Sequence, residues 1–321
     1  MDAKPKLKAL IVLNPVSGMG NPDQLQAYCQ NEFEKAGWQV DFYRTQTDDD
    51  ISAVVRASIN DSCSLVVASG GDGTIAAVAA GMVDSQVPLG ILPSGTWNAI
   101  ARNLGIPLYL PYAVSLILGE HALNRLDLMA VGDSIHMMNL GIGFSAAMIQ
   151  NTGREEKRKF SIFAYLGNVV SQLFGLKLKR YRLDIDGQHI KIRASEIMVA
   201  NFGIAGLRAF ENALDIHPDD GKVDLIVVRA RTILDAPVLL WSLLVKREKR
   251  TPIHRIFSGC ENITITGTPP AVVQADGEII GVTPVEIKVI PRCVQVITPV
   301  PRRTLLEEID FLNPLTHSPE R

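Results

Sequence analysis

The chain has 321 residues, of which 47% are hydrophobic, and is too long for one ordinary core, which predicts about two domains. Its formal net charge of −2 provides no overall field that would attract nucleic acid, so we expect no nucleic-acid partner. The four cysteines have neither metal-like nor disulfide-like spacing, which favours a reducing, cytoplasmic location.

Apolar runs in the chain are short. The run at residues 9–13 ends at Asn14-Pro15, which is typical of a first strand and too short for a signal peptide. The longest uncharged run, residues 160–176, contains Asn168 and Gln172 and falls short of a bilayer span. We therefore expect no transmembrane segment.

Strands and helices alternate over the first third of the chain. Strands are predicted at residues 7–13, 39–44 and 64–68, and helices at residues 23–36, 49–60, 75–82 and 110–118. This repetition predicts a doubly wound parallel α/β sheet, in which ligands bind beyond the carboxyl ends of the strands. Four loops should therefore meet at one edge: residues 14–20, Thr45, residues 70–74 and residues 93–98.

A glycine-rich turn, Gly70-Gly71-Asp72-Gly73-Thr74, joins a predicted strand to a predicted helix. Glycine reaches positive φ without a Cβ penalty, and exposed amides at a helix N-terminus attract anions, so phosphate is the expected ligand. Asp72 would repel a bare phosphate, which favours Mg²⁺-assisted chemistry. A turn that merely changes the direction of the chain is the alternative.

The second half of the sequence has short segments separated by turn residues, typical of an antiparallel all-β domain. Strands are predicted at residues 125–131, 134–140, 181–185, 189–201, 223–229, 263–266, 271–274, 285–290 and 294–298, and helices at residues 160–174 and 234–245. We place the domain boundary between residues 130 and 131. The second domain then covers residues 131–299, and residues 300–321 form a tail or return to the first domain.

Six blocks of sequence resemble the diacylglycerol kinase catalytic-domain family, which includes sphingosine kinases, ceramide kinases and bacterial YegS-like lipid kinases. The blocks occur in family order and are Asn14-Pro-Val-Ser-Gly18, Gly70-Gly-Asp-Gly-Thr74, Leu92-Pro-Ser-Gly-Thr-Trp-Asn98 with Ala101-Arg102, Asn139-Leu-Gly-Ile-Gly-Phe144, Asp220-Gly221 and Asp276-Gly-Glu278.

The resemblance implies a nucleotide-binding α/β domain, a β-sandwich domain for the lipid substrate, and an active site in the cleft between them. It implies transfer of the γ-phosphate of ATP to a lipid hydroxyl such as that of diacylglycerol or a sphingoid base. The matching nucleotide-binding positions are Asn14, Thr45, Gly70, Gly71, Asp72, Gly73, Thr74, Thr96 and Asn98. Asn98 also suits a second role, in which its side chain holds its own loop.

Three acidic residues, Glu278, Asp72 and Asp127, carry the expected chemistry. By resemblance, Glu278 is the proton acceptor and Asp72 organises Mg²⁺, although the family also leaves Asp72 open as the group facing the acceptor hydroxyl. Asp127 resembles a further acid near the metal. The alternatives are a hairpin turn at residues 276–278, since Asp-Gly is a strong turn dipeptide, and a solvent-facing strand position for Asp127.

A second cation site is implied at residues 217–222. In bacterial members one aspartate and flanking carbonyls hold the ion, which corresponds here to Asp220 with the carbonyls of His217 and Lys222. Oxygen ligands around a turn suit Mg²⁺ or Ca²⁺ in a structural or regulatory site. A plain β-turn is the alternative.

Two residues depart from the family pattern: Trp97 stands where a smaller residue is usual, and Ser145 where aspartate is common. They keep open a regulator that binds lipid or nucleotide without turnover. NAD kinase, which also carries Gly-Gly-Asp-Gly-Thr, is the other alternative, and residues 92–98 and 276–278 argue against it.

Basic clusters at residues 154–159, 177–182 and 246–250 flank predicted amphipathic helices. Such clusters bind anionic membrane surfaces or are simply solvated helix faces. An enzyme that acts on a membrane-derived lipid must meet it at the interface, so we expect a cytoplasmic protein with peripheral membrane contact. The oligomeric state cannot be read from the sequence.

Overall fold

The computed structural model describes residues 7–18, 21–151, 178–203, 215–232, 235–241 and 250–300. Within these ranges the chain forms a ten-stranded sheet and a six-stranded sheet. The predicted helix at residues 160–174, residues 234 and 242–245 of the predicted helix at residues 234–245, and the tail at residues 302–321 lie outside the described residues. Residues 235–241 of that second helix are helical, as predicted.

The first half contains four parallel strands in the order β2-β1-β3-β4, with helices on both faces. The strands are β1 Lys8–Leu13, β2 Gln39–Arg44, β3 Leu65–Gly70 and β4 Leu89–Pro93, and the helices are α1 Pro22–Lys35, α2 Ile51–Asn60, α3 Asp72–Gly81, α4 Ala99–Asn103 and α5 Leu110–Leu118.

Residues of β1 alternate between two hydrophobic clusters. Leu10 and Val12 pack in the cluster that includes residues of α2 and α3, whereas Ala9 and Ile11 pack in the cluster that includes residues of α1 and α5. Because both faces of the strand are covered, its sequence is apolar without a break. This is the predicted doubly wound α/β arrangement.

The second half packs two antiparallel sheets around one core. Its strands are β5 Ala122–Val131, β6 Ser134–His136, β7 Asn139–Gly143, β8 Lys179–Ile185, β9 Gln188–Ala194, β10 Glu196–Ala200, β11 Val223–Val228, β12 His254–Cys260, β13 Asn262–Thr268, β14 Val272–Ala275, β15 Glu278–Val282 and β16 Val285–Thr298, and its helices are α6 Phe144–Asn151 and α7 Asp235–Trp241. Leu183 and Ile263 of one sheet share the core with Ile142 and Val199 of the other. The predicted β-sandwich is confirmed.

The larger sheet runs through both halves of the molecule. Strand β16 pairs with β13 near Val285 and with β4 at Val296, and β5 pairs antiparallel with β16 along most of its length. The sequence pattern reads β16 as two strands because Pro291 interrupts the apolar run, and the structure has a register shift between Ile290 and Val294. The two halves are therefore joined by shared strands.

All four cysteines are buried and free: Cys29 in α1, Cys63 before β3, Cys260 in β12 and Cys293 in β16. Burial raises the pKa of the Cys29, Cys260 and Cys293 thiols to about 12. Among the described helices, none combines the length and apolar character that a bilayer crossing requires.

Candidate active site

A cavity of about 540 Å³ lies where the loops of the α/β half face the β-sandwich half. The first half contributes residues that follow β1 and β2 and the start of α3, and the second contributes the end of β6 and the turn between β14 and β15. The residues that line the cavity include Asn14, Thr45, Asp48, Asp49, Gly73, Thr74, His136, Asp276 and Glu278. The structure thus brings together five of the predicted site residues: Asn14, Thr45, Gly73, Thr74 and Glu278.

Asn14 and Thr74 connect the loop after β1 to the glycine-rich turn after β3. The backbone N–H of Asn14 donates to the Ser69 carbonyl at 2.9 Å, and Asn14 Nδ2 donates to Thr74 Oγ1 at 3.0 Å. A Cβ at Gly70 would lie 2.5 Å from the Thr74 side chain, so this close approach requires glycine. The Gly73 position has open space around it and is exposed at the N-terminal turn of α3.

Thr45 follows β2 and is buried, with its backbone N–H donating to the Leu13 carbonyl at 2.9 Å. The residues after it carry carboxylates that line the same cavity, Asp48 and Asp49. Hydrogen bonds from the Tyr43 hydroxyl and the Gln46 N–H lower the pKa of Asp49. The sequence analysis missed both acids because a loop of polar residues after a strand has no distinctive spacing.

A second glycine turn packs directly on the first. A Cβ at Gly95 would lie 2.5 Å from the Cα of Gly71, so this close approach of the two turns requires glycine at position 95. Asn98, at φ 53°, accepts a hydrogen bond from the Gly95 N–H and donates one to the Gly95 carbonyl, each at 2.9 Å. Asn98 therefore holds its own loop, while Thr96 is exposed on that loop and is not among the cavity-lining residues.

Asp72 has a local partner in the structure. Its Oδ1 accepts a hydrogen bond from the Ile100 N–H at 2.9 Å, which caps the first turn of α4. The side chain is half-buried in the first turn of α3 and is not among the cavity-lining residues. Its carboxylate thus ties the Gly-Gly-Asp-Gly turn to the helix that follows the second glycine turn.

Glu278 is exposed at the cavity, at the first position of β15. Ala275 and Glu278 are paired across a two-residue turn in which Asp276 and Gly277 have φ of 49° and 88°. Positive φ at both turn residues is the geometry of a type I′ hairpin, which Asp-Gly favours. The hairpin alternative is therefore present, and the same turn carries Glu278 to the cavity.

The turn is attached to the neighbouring strands through Asp276. Its carboxylate accepts hydrogen bonds from the N–H groups of Met137, Met138 and Asn139 at 2.9, 2.9 and 3.2 Å. His136 lies beside it, with Nδ1 3.6 Å from Asp276 Oδ2, and its Nε2 is buried without a hydrogen-bond partner among the described groups. Sequence analysis missed His136, since its partner is 140 residues away in the chain.

Asp127 lies elsewhere, in β5, and is completely buried. Its oxygens accept hydrogen bonds from the Gly221 N–H and the Arg292 N–H, both at 2.6 Å. Burial raises the pKa of Asp127. The solvent-facing alternative is wrong, because Asp127 is buried and both of its oxygens hold backbone turns. Asp127 is also absent from the cavity lining.

The implied cation turn at residues 217–222 is exposed around Asp220, whose Oδ1 accepts a hydrogen bond from the Lys222 N–H at 2.9 Å. His217 Nε2 lies 3.2 Å from Asp215 Oδ1. Within the described part of the chain, His, Cys, Asp and Glu side chains form no cluster suited to a metal. A site built from Asp220 and two carbonyls stays a prediction.

Both departures from the family pattern have partners. The Trp97 ring stacks with the Arg102 guanidinium at 5.2 Å, and its carbonyl accepts from Arg102 Nε at 2.8 Å. Ser145 is the second residue of α6, where its N–H donates to Glu196 Oε2 at 3.0 Å and its hydroxyl donates to Glu196 Oε1. Burial raises the pKa of Glu196 to about 7 despite these bonds.

Comparisons with known proteins cover both halves of the chain. Residues 8–131 match the family model described as diacylglycerol kinase catalytic domain, and residues 139–298 match the model described as YegS C-terminal NAD kinase beta sandwich-like domain. A crystal structure of a diacylglycerol kinase from Bacillus anthracis superposes with a TM-score of 0.75 at 22% identity, covering 92% of this chain and 98% of that chain. At this identity the superposition supports the fold alone.

Two sequence relatives span most of the chain. An uncharacterized protein of Synechocystis sp. is 30% identical over 306 residues, which cover 90% of this chain and 70% of the relative. A Staphylococcus epidermidis protein named "Putative lipid kinase" is 28% identical over 236 residues, which cover 71% of this chain and 75% of the relative.

The α/β half and the β-sandwich half, with the loop-lined cavity between them, form the two-domain arrangement that the two family models cover. The chain belongs to the diacylglycerol kinase catalytic-domain family, as its motifs and both family models show.

Proposed function

We propose that the protein transfers the γ-phosphate of ATP to the hydroxyl group of a lipid, with Mg²⁺ as the metal. The observation that carries the proposal is the cavity itself, since glycine-turn residues of one half and Glu278 of the other line the same space. Phosphate ligands suit the first side of such a cavity and an acceptor alcohol suits the second.

The α/β side has the features of a triphosphate site. Helix α3 has ten residues, no side-chain cap at its N-terminus among the described groups, and a partial positive charge there. Gly73 is exposed with open space, and Asn14 and Thr74 place amide and hydroxyl groups beside it. We assign these residues to nucleotide binding, together with Gly70, Gly71 and Thr45, and Thr96 to the rim.

The carboxylates of Asp48 and Asp49 line this cavity, and hard oxygen ligands suit Mg²⁺. Because the described side chains form no cluster that could hold the ion by themselves, it would bind together with the phosphates of ATP. When bound with ATP, the metal neutralises charge on the transferring phosphoryl group. We assign Asp72 to orienting the metal through water, with its second oxygen, while Oδ1 caps α4. Asp127 has no such role in the proposal.

Glu278 accepts the proton that leaves the acceptor hydroxyl as the new P–O bond forms. An alcohol has a pKa far above neutrality, so its proton is removed during bond formation, a contribution of about 10²–10⁴-fold. The bond between the γ-phosphorus and the bridging oxygen of ATP breaks, and ADP leaves with that oxygen. Asp276 holds the turn and so positions Glu278.

The experiment is incubation of the purified full chain with labelled ATP, Mg²⁺ and a lipid panel, and separately with NAD. Label in diacylglycerol, a sphingoid base or a related lipid supports the proposal and names the acceptor. Label in NAD alone contradicts the proposal and supports an NAD kinase. Nucleotide binding without label in any acceptor indicates a regulator.

A further inference from the structure

The hairpin of β8 and β9 has a strongly basic outer face. Arg180 is paired with Arg193, and Arg182 with Lys191, in alternate cross-strand rows. All four side chains are exposed, and a groove of about 560 Å³ lies among them. We call this surface, defined by Arg180, Arg182, Lys191 and Arg193, the basic face.

Like charges opposite each other in a sheet destabilise the pairing, so this arrangement costs stability unless an anion is present. Within the part of the chain that the structure describes, no carboxylate forms an ion pair with any of the four cations. Asp184, one row further along the hairpin, is 2.9 Å from His189 Nδ1. The four charges therefore lack an internal counter-ion among the described residues.

The shape of the basic face favours a flat partner. The cations lie in two rows on the same side of a sheet, and Thr266 and Thr268 of β13 extend the same rows. The aromatic residue between them, Tyr181, is buried, so the face offers no ring on which a nucleic-acid base would stack. With a net charge of only −2 on the chain, the positive field of the face is local.

We propose that the basic face docks the protein on membranes that contain anionic phospholipids. Phosphate-bearing headgroups provide the missing counter-ions, and each Lys or Arg near such a surface contributes measurably to binding. The inference rests on the proposed function, since a lipid acceptor resides in the membrane. The four residues are absent from the lining of the candidate active site, so docking and chemistry use different surfaces.

The test is flotation of the full chain with vesicles of phosphatidylcholine, with and without phosphatidylglycerol, in the absence of ATP. We expect binding only with phosphatidylglycerol and a loss of binding at high salt. The double variant Arg182→Gln/Lys191→Gln removes one row and should partition roughly 25-fold more weakly, at about fivefold for each cation. Because it removes a like-charge pair, its thermal stability should equal or exceed that of the wild type.

The matched control is Lys35→Gln/Arg56→Gln, which removes two exposed cations from α1 and α2 of the other half. It should bind vesicles like the wild type. Equal binding by both double variants would overturn the proposal. The proposal would also be overturned if Arg182→Gln/Lys191→Gln kept vesicle binding and instead lost duplex DNA binding or self-association.

A dispersed acceptor separates this inference from the proposed function. With a short-chain diacylglycerol in solution, Arg182→Gln/Lys191→Gln should keep wild-type turnover, and with acceptor in anionic vesicles it should lose rate in proportion to its lost binding. Vesicle binding by a wild type that phosphorylates no lipid would refute the kinase and leave the basic face intact. Turnover without any vesicle binding would do the reverse.

Discussion

At the scale of single residues, the site depends on side chains that hold the backbone as much as on those that face the cavity. Asn98 and Asp276 each bind backbone groups of a loop, and Asp127 holds two turns. The tight turns at the glycine motifs could be predicted from the sequence, because steric rules favour glycine at such positions. The bonds of Asp276 and Asp127 were not, because each joins segments about a hundred or more residues apart.

Asp72 allows a structural role to be separated from a chemical one. Asp72→Asn keeps an Oδ1 acceptor for the Ile100 N–H but removes the charge, so we expect a wild-type melting temperature and loss of transfer. Asp72→Ala also removes the cap and should lower stability by about 0.5–2 kcal/mol. Thermal denaturation and a phosphotransfer assay compare the two, and undiminished transfer by Asp72→Asn would refute the metal-orienting role.

For Glu278→Gln we expect turnover to fall about 10²–10⁴-fold, because the amide cannot take the proton of the acceptor hydroxyl. The dissociation constant for ATP should change little, and stability should be unaffected because the side chain is exposed. Single-turnover kinetics and equilibrium nucleotide binding measure the two effects. A weakened affinity with unchanged turnover would contradict the assignment as proton acceptor.

Glu196 predicts a dependence of stability on pH. Burial raises its pKa from 4.5 to about 7, so the folded state holds a proton that the unfolded state has released between these values. The contribution of Glu196 to the free energy of unfolding is complete below about pH 4.5 and decreases as the pH rises towards 7. Above that pH the contribution is lost, and the total loss is at most about 3 kcal/mol. Denaturant midpoints for the wild type and Glu196→Gln measure this, and the variant should lack that component of the pH dependence.

At the scale of elements, strands and helices with a regular apolar pattern were predicted and short ones were not. The strand β1 and helices α1 and α5 lie close to their predicted bounds because each has a continuous apolar run or face. Helix α4, helix α6 and the strands β12 and β15 were missed. Helix α4 has only five residues and depends on Asp72 for its cap, and β15 exposes most of its residues, so neither has a periodic pattern.

The β14–β15 hairpin can be tested against its counterpart, since the β8–β9 turn at Asp186-Gly187 also has positive φ at both residues. A Cβ at Gly277 or Gly187 meets nothing within 4 Å, so alanine at either position costs only backbone strain, about 1–2 kcal/mol. We expect equal destabilisation from Gly277→Ala and Gly187→Ala. Only Gly277→Ala should reduce turnover, because its turn carries Glu278. Equal turnover in the two variants would contradict the role of the β14–β15 turn in positioning Glu278.

At the scale of the whole molecule, the two halves share the larger of the two sheets. The sequence pattern predicts two domains because the periodicity changes near residue 130. It does not reveal that β5 and β16 run across both halves, since pairing between Val296 and Leu89 leaves no local signal. The boundary between residues 130 and 131 stays a prediction.

Shared strands predict a single cooperative unfolding transition. Trp38 and Trp97 lie in the first half and Trp241 lies in α7, so Trp241→Phe leaves fluorescence that reports on the first half alone. Its denaturation curve should coincide with that of far-ultraviolet circular dichroism, which reports on both halves. An earlier fluorescence midpoint would show that the first half unfolds independently.

Each buried cysteine can report on the opening of the part of the fold that contains it. Cys29 belongs to the first half, Cys260 to the second and Cys293 to the strand that they share. With a pKa near 12 each thiol is almost entirely protonated at neutral pH in the native state, and exposure restores an ordinary nucleophile. A brief pulse of an alkylating reagent, read by mass spectrometry of the peptides, therefore gives the order in which the regions open.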